Sequence, residues 1–155
     1  MKLMVAVMIL ASVPVGAKNN VTYPNGNLAE FVVEKADVRS FPEAIRPKPA
    51  KGKKTFSDYG YLTQQIDERE AIVKAPEGSS QIAINVLEES QAGIYVCVSG
   101  EAQDRSGGRI QRVYLLKQKN ADGLLKGREA SKKFDGCPVI GGEVEGEGVG
   151  EAFGG

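Results

Sequence analysis

Apolar and polar positions alternate most densely between Glu70 and Gln118. "EAIVKA", Glu70 to Ala75, is a short apolar run closed by the turn signal Pro76-Glu77-Gly78. "QIAINVLEE" follows, with Ile82, Ile84 and Val86 at every second place and Gln81, Ala83 and Asn85 between them. A period of two puts the first set on one face of a strand and the second on the other. "SQAG" turns the chain again. "IYVCV", Ile94 to Val98, is apolar on both faces, the pattern of a central strand covered from both sides. A polar stretch, "SGEAQDRSGG", reads as a hairpin loop, and "RIQRVYLLK" returns. Its alternation breaks near Arg112, which suggests a bulge. Four consecutive strands joined by polar turns predict an antiparallel sheet. The expected fold is therefore mainly β with minor α: a single small domain, an antiparallel meander forming a sandwich or open barrel, with one or two short helices.

The flanks are less regular. In "LAEFVVEKADV", Leu28 to Val38, the positions Leu28, Phe31, Val32 and Lys35 have helical spacing, yet the β-branched run suits a strand. The run tips the reading towards a strand. "SFPE" reads as a helix start, with Ser40 as the cap, Glu43 three places on and Pro42 in the first turn. Pro47 and Pro49 would stop that helix early. "LLKGREASKKF", Leu124 to Phe134, falls in loose helical register weakened by Gly127. It is read as a short helix that carries Cys137 back to the sheet. There, Phe134, Cys137, Val139 and Ile140 would cap one face.

The two ends fall outside this domain. Lys2 precedes an apolar run from Leu3 to Val13, Pro14 breaks it, and Val15-Gly16-Ala17 offers small residues at a cleavage site. The run is shorter than the roughly 20 residues that cross a bilayer. Residues 1–17 are read as a secretory signal peptide cut after Ala17. Residues 18–140 form the β-rich domain, and the Gly/Glu-rich stretch 141–155 reads as a disordered tail. The chain has 20 Lys and Arg against 20 Asp and Glu, so losing Lys2 leaves an excess of one acid. That balance argues against capture of nucleic acid, which needs a basic face. The processed product is expected to be exported, periplasmic or secreted, with no membrane insertion.

Export gives the two cysteines a meaning. In an oxidising compartment Cys97 and Cys137 have one possible intramolecular pairing. Closing the loop between them is worth about 4 kcal/mol in the chain-entropy model. A redox role lacks support, since there is no Cys-x-x-Cys and no activating neighbour in sequence.

The chain contains no histidine, which removes Ser-His-Asp and Cys-His machinery and the His-containing zinc motifs. No catalytic residue, metal ligand or cofactor is assigned. Asp67, Glu68, Glu70, Glu88 and Glu89 leave a carboxylate-dependent hydrolase of an envelope glycan as an alternative. Acids beside turns are more often simply solvated. Ser106-Gly107-Gly108-Arg109 precedes a strand and not a helix, so it reads as a hairpin loop and not a phosphate loop. The segment "RPKPAKGKK", Arg46 to Lys54, carries five positive charges, no acid and two prolines that extend it. "TFSDYGYL", Thr55 to Leu62, then brings three aromatics together. Lys51, Lys53, Lys54, Tyr59 and Tyr61 are the candidate binding residues. Their partner would be a protein or an anionic component of the cell envelope.

Two resemblances bear on these segments. Gly93, Tyr95 and Cys97 in "AGIYVCV" resemble the F strand of immunoglobulin domains. That family expects an upstream cysteine and a core tryptophan, whereas here the second cysteine lies downstream and there is no Trp, so the likeness is set aside. "DVRSF", Asp37 to Phe41, together with "TFSDYG", Thr55 to Gly60, is similar to small exported bacterial proteins without an assigned activity. That likeness implies a periplasmic setting and no enzyme residues. The function expected from the sequence is a non-catalytic binding or interaction module, with the hydrolase and a structural or inhibitory protein as alternatives.

Overall fold

Six strands pair in chain order into one antiparallel sheet in the computed structural model, which describes residues 21–103 and 107–140. They are β1 (Leu62–Gln65), β2 (Glu70–Lys74), β3 (Gln81–Ser90), β4 (Gly93–Glu101), β5 (Arg109–Gln118) and β6 (Leu125–Glu129). One helix, α1 (Leu28–Lys35), and two 3-10 turns, Val38–Ser40 and Ser57–Tyr59, complete the domain. The fold is mainly β with minor α, as the alternation implies. The sheet is a single open layer with β1 and β6 at its edges. The segment 1–17, read as a signal peptide, and the stretch 141–155, read as a tail, lie outside the described residues.

The core lies on one face of the sheet. Ile82, Ile84 and Val86 of β3, Ile94, Val96 and Val98 of β4, and Ala71 and Val73 of β2 are all buried there. Helix α1 covers them with Leu28, Ala29, Val32 and Val33. A fully buried aliphatic side chain contributes about 1.5–3 kcal/mol by leaving water. β4 is covered on both faces, as its uninterrupted apolar run requires. On the opposite face, Cys97, Val113 and Cys137 form a second cluster with Leu87, Tyr95, Ala130 and Phe134. The disulfide between Cys97 and Cys137 fixes the segment after β6 to this face, with Cα atoms 5.7 Å apart.

Four local expectations are corrected. Residues 28–35 are helix, not strand, because Leu28, Ala29, Val32, Val33 and Ala36 make one continuous stripe that seals the core. Ser40 does not begin an α-helix. Its hydroxyl instead accepts the Gly127 amide at 2.9 Å, and Asp37 caps the preceding 3-10 turn by accepting from the Arg39 amide. Residues 125–129 are a strand, not a helix, because they supply the hydrogen-bond partners for β5 from Tyr114 to Gln118. The bulge lies in β3 between Val86 and Glu88. Arg112 stays in register opposite Val98, since its guanidinium reaches Glu129 at 3.2 Å and the Ile140 carbonyl at 2.6 Å. β1 is the strand that alternation missed. All four of its residues are exposed, so it carries no apolar signal. At the C-terminal end, Phe134 and Cys137 cover the sheet, but Val139 is 63% exposed and Ile140 spends its backbone on Gln111.

Candidate functional site

The basic segment and the tyrosines meet on one surface, and the surrounding chain explains why. Phe56 is the anchor. It is buried, stacks on Phe41 at 5.9 Å and meets the Tyr61 ring at 5.5 Å. From that anchor the chain makes a 3-10 turn, Ser57–Tyr59, ending at Gly60 with φ of 75°. The Tyr61 amide returns to the Phe56 carbonyl. A left-handed residue there favours glycine, which has no Cβ to clash. Asp58 holds the approach: its carboxylate accepts from the Lys54 and Thr55 amides, each at 2.8 Å. These amide hydrogen bonds hold its pKa below the usual carboxylate value.

The basic loop is tied down at three further points. The Lys54 carbonyl accepts from the Val38 amide at 2.8 Å. The Ala50 amide donates to the Tyr59 hydroxyl at 3.0 Å. The Lys53 ammonium lies over the Tyr59 ring, 5.2 Å from its centroid, a cation–π arrangement. The prolines therefore do not leave this segment unattached. Lys51, Lys53 and Lys54 are exposed, and none of them has an ion-pair partner among the described residues.

The neighbouring arginines have other work. Arg39 forms a two-pronged pair with Asp37, at 2.8 and 2.5 Å. That pairing holds the Asp37 carboxyl below its ordinary value. Arg46 donates to the Arg39 carbonyl at 2.5 Å and so shapes the turn that leads into the loop. Of the five candidate binding residues, Lys53 and Tyr59 are in direct contact, and Lys51 and Lys54 flank them on the same loop. Tyr61 is half-buried with its ring on Phe56, so much of its side chain serves packing. The sequence reading missed Asp58 and the Ala50 amide, which fix the surface. The signal for Asp58 was present: an Asp three places after a Thr in a turn can accept local amides.

Two of the carboxylates considered for hydrolysis, Asp67 and Glu88, have local roles. Asp67 accepts from the Arg69 and Glu70 amides at 2.7 and 2.8 Å, closing the β1–β2 turn. Glu88 pairs with Lys132 at 2.7 Å. Among the described residues no group of three or more acids or cysteines is placed to hold a metal ion. A polar groove of about 520 Å³ is lined by Lys74, Ser79, Ser80, Ser99, Glu101 and Arg109 among others. No helix among the described residues is long and apolar enough to cross a membrane. The disulfide is compatible with an oxidising, exported location. Comparison of the chain with protein-family models, curated proteins and solved structures finds no match.

Proposed function

We propose that the protein is an exported, non-catalytic binding module, periplasmic or secreted, and that the loop Lys51, Lys53 and Lys54 with Tyr59 binds an anionic group on a cell-envelope component or an acidic protein. The contact between Lys53 and Tyr59 carries this reading. A solvated charge run would have no reason to dock on a tyrosine, whereas docking holds the Lys53 ammonium and the loop backbone in place before a ligand arrives. With Lys51, Lys53 and Lys54 set aside, the chain has 17 Lys and Arg against 20 Asp and Glu, so attraction for an anion is local to this loop. The apolar leader and the disulfide support export.

Retention of the oxidised protein on a phosphate-bearing matrix tests this. Wild type should be held at low salt and released as ionic strength rises. The triple variant Lys51→Gln, Lys53→Gln, Lys54→Gln should pass through unretained with its thermal stability unchanged. Equal retention of variant and wild type rejects the proposal.

A further inference from the structure

The outer edge of β1 is a pairing surface that the sheet leaves open, and its hydrogen-bond phase can be read from its inner partner. Ile66 donates to the Glu70 carbonyl at 2.9 Å, and β1 pairs with β2 as Leu62↔Lys74, Thr63↔Val73, Gln64↔Ile72 and Gln65↔Ala71. Bonded and non-bonded pairs alternate in an antiparallel ladder. Leu62, Gln64 and Ile66 therefore spend their backbone groups on β2, and Thr63 and Gln65 point theirs outward. Among the described residues, no backbone bond from a turn, loop or cap reaches Thr63 or Gln65. The other edge of the sheet is partly covered: β6 meets Ala36 in a bridge at Leu125, and its Gly127 amide goes to Ser40.

We infer that two copies of this protein associate by antiparallel pairing of their β1 edges about a two-fold axis at Gln64. In that register Thr63 of each copy faces Gln65 of the other, and these are the residues whose donors and acceptors are open. Leu62 faces Ile66 in a non-bonded pair, where side chains approach most closely. Leu62 is 70% exposed and Ile66 48%, and they share the face of the sheet opposite α1. Self-pairing thus covers both at once. Every facing pair from Leu62 to Ile66 is uncharged, and the chain carries at most one excess acid once Lys2 is lost, so little repels the approach. A shift by one residue would set outward groups against residues already bonded to β2 and lose the Leu62–Ile66 contact. β1 carries none of the charges or prolines that natural edges use to prevent such pairing, and its four-residue length limits how much it can pair. The paired stretch is short of the standard interface of about 1,600 Å², so the dimer is weak and depends on concentration.

Sedimentation velocity and amide spectra of the oxidised protein, compared from ~10 µM to ~1 mM, test the inference over the range suited to a small interface. A dimer should appear with concentration, and the amides of Thr63 and Gln65 should gain exchange protection with it. Leu62→Lys should remain monomeric at every concentration, as should Thr63→Pro, which lacks the outward N–H. Val139→Lys, an equally exposed apolar position elsewhere, should dimerise like wild type. If Thr63→Pro fails to fold, the exposed Leu62→Lys variant decides. A wild type that stays monomeric, a dimer that survives Leu62→Lys, or protection that appears away from β1 would overturn the inference.

Discussion

The hydroxyl of Ser40 accepts the amide hydrogen of Gly127 at 2.9 Å, joining the 3-10 turn after α1 to the edge strand β6. Gly127 has no room to be anything larger. A Cβ there would lie 2.7 Å from Leu116 Cδ2 and 3.2 Å from Ser40 Cβ, and Leu116 is fully buried. Gly127→Ala should therefore destabilise the fold by about 1–3 kcal/mol through overpacking. Ser40→Ala should cost about 1–2 kcal/mol by leaving the Gly127 amide unpaired. Urea denaturation of the two variants checks both values.

The disulfide makes the second prediction. Replacing Cys97 and Cys137 together by Ala should lower stability by about 4 kcal/mol, less whatever is recovered by relaxation of the second cluster. Wild type in reductant should show a loss of similar size. Equal urea midpoints for the reduced and oxidised forms would remove the bridge from the stability argument.

Asp37 gives a pH dependence with a definite sign. Its pairing with Arg39 depresses the folded pKa, so the folded state binds this proton less readily than the unfolded chain. The contribution to stability is fully present above the unfolded value of about 3.9 and is lost as pH falls through the lower folded value. Asp37→Asn should flatten the acid limb of the stability curve and leave the neutral region lower. Thermal melts from neutral pH down into the acid range measure this.

Tyr114 behaves in the opposite sense at the alkaline end. Burial, aided by the charge of Glu129, pushes its pKa up to about 12. Unfolded tyrosine ionises near 10, so this group's contribution is whole below that pH and is lost as pH climbs towards 12. Absorbance titration should show a late phenolate step, and Tyr114→Phe should remove it. If the Phe variant titrates like wild type, the late step belongs elsewhere.

The centre of the fold was legible in the sequence because its faces differ. Ile82, Ile84 and Val86 alternate with less buried neighbours, and β4 shows an apolar run wherever both faces are covered. The edges were not legible, for two separate reasons. β1 is exposed throughout and carries no periodic signal. β6 is a strand because the bonding groups of β5 need partners, a long-range demand that no local window around Gly127 contains. The reading of residues 28–35 failed because a β-branched run suits either element, and the choice was made by the stripe from Leu28 to Ala36 lying across β2 and β3. At the candidate site the composition of the loop pointed to Lys51, Lys53, Lys54, Tyr59 and Tyr61. Their attachment was hidden, because the contact of Lys53 with Tyr59 depends on how Phe56 is anchored.

The bond between Cys97 and Cys137 encloses β5, β6 and the β4–β5 loop in a covalent ring. A protease that clips the exposed hairpin connection at Gly107 therefore opens the ring and releases nothing. The nicked molecule migrates as one band until a reductant is added, and only then separates into two pieces.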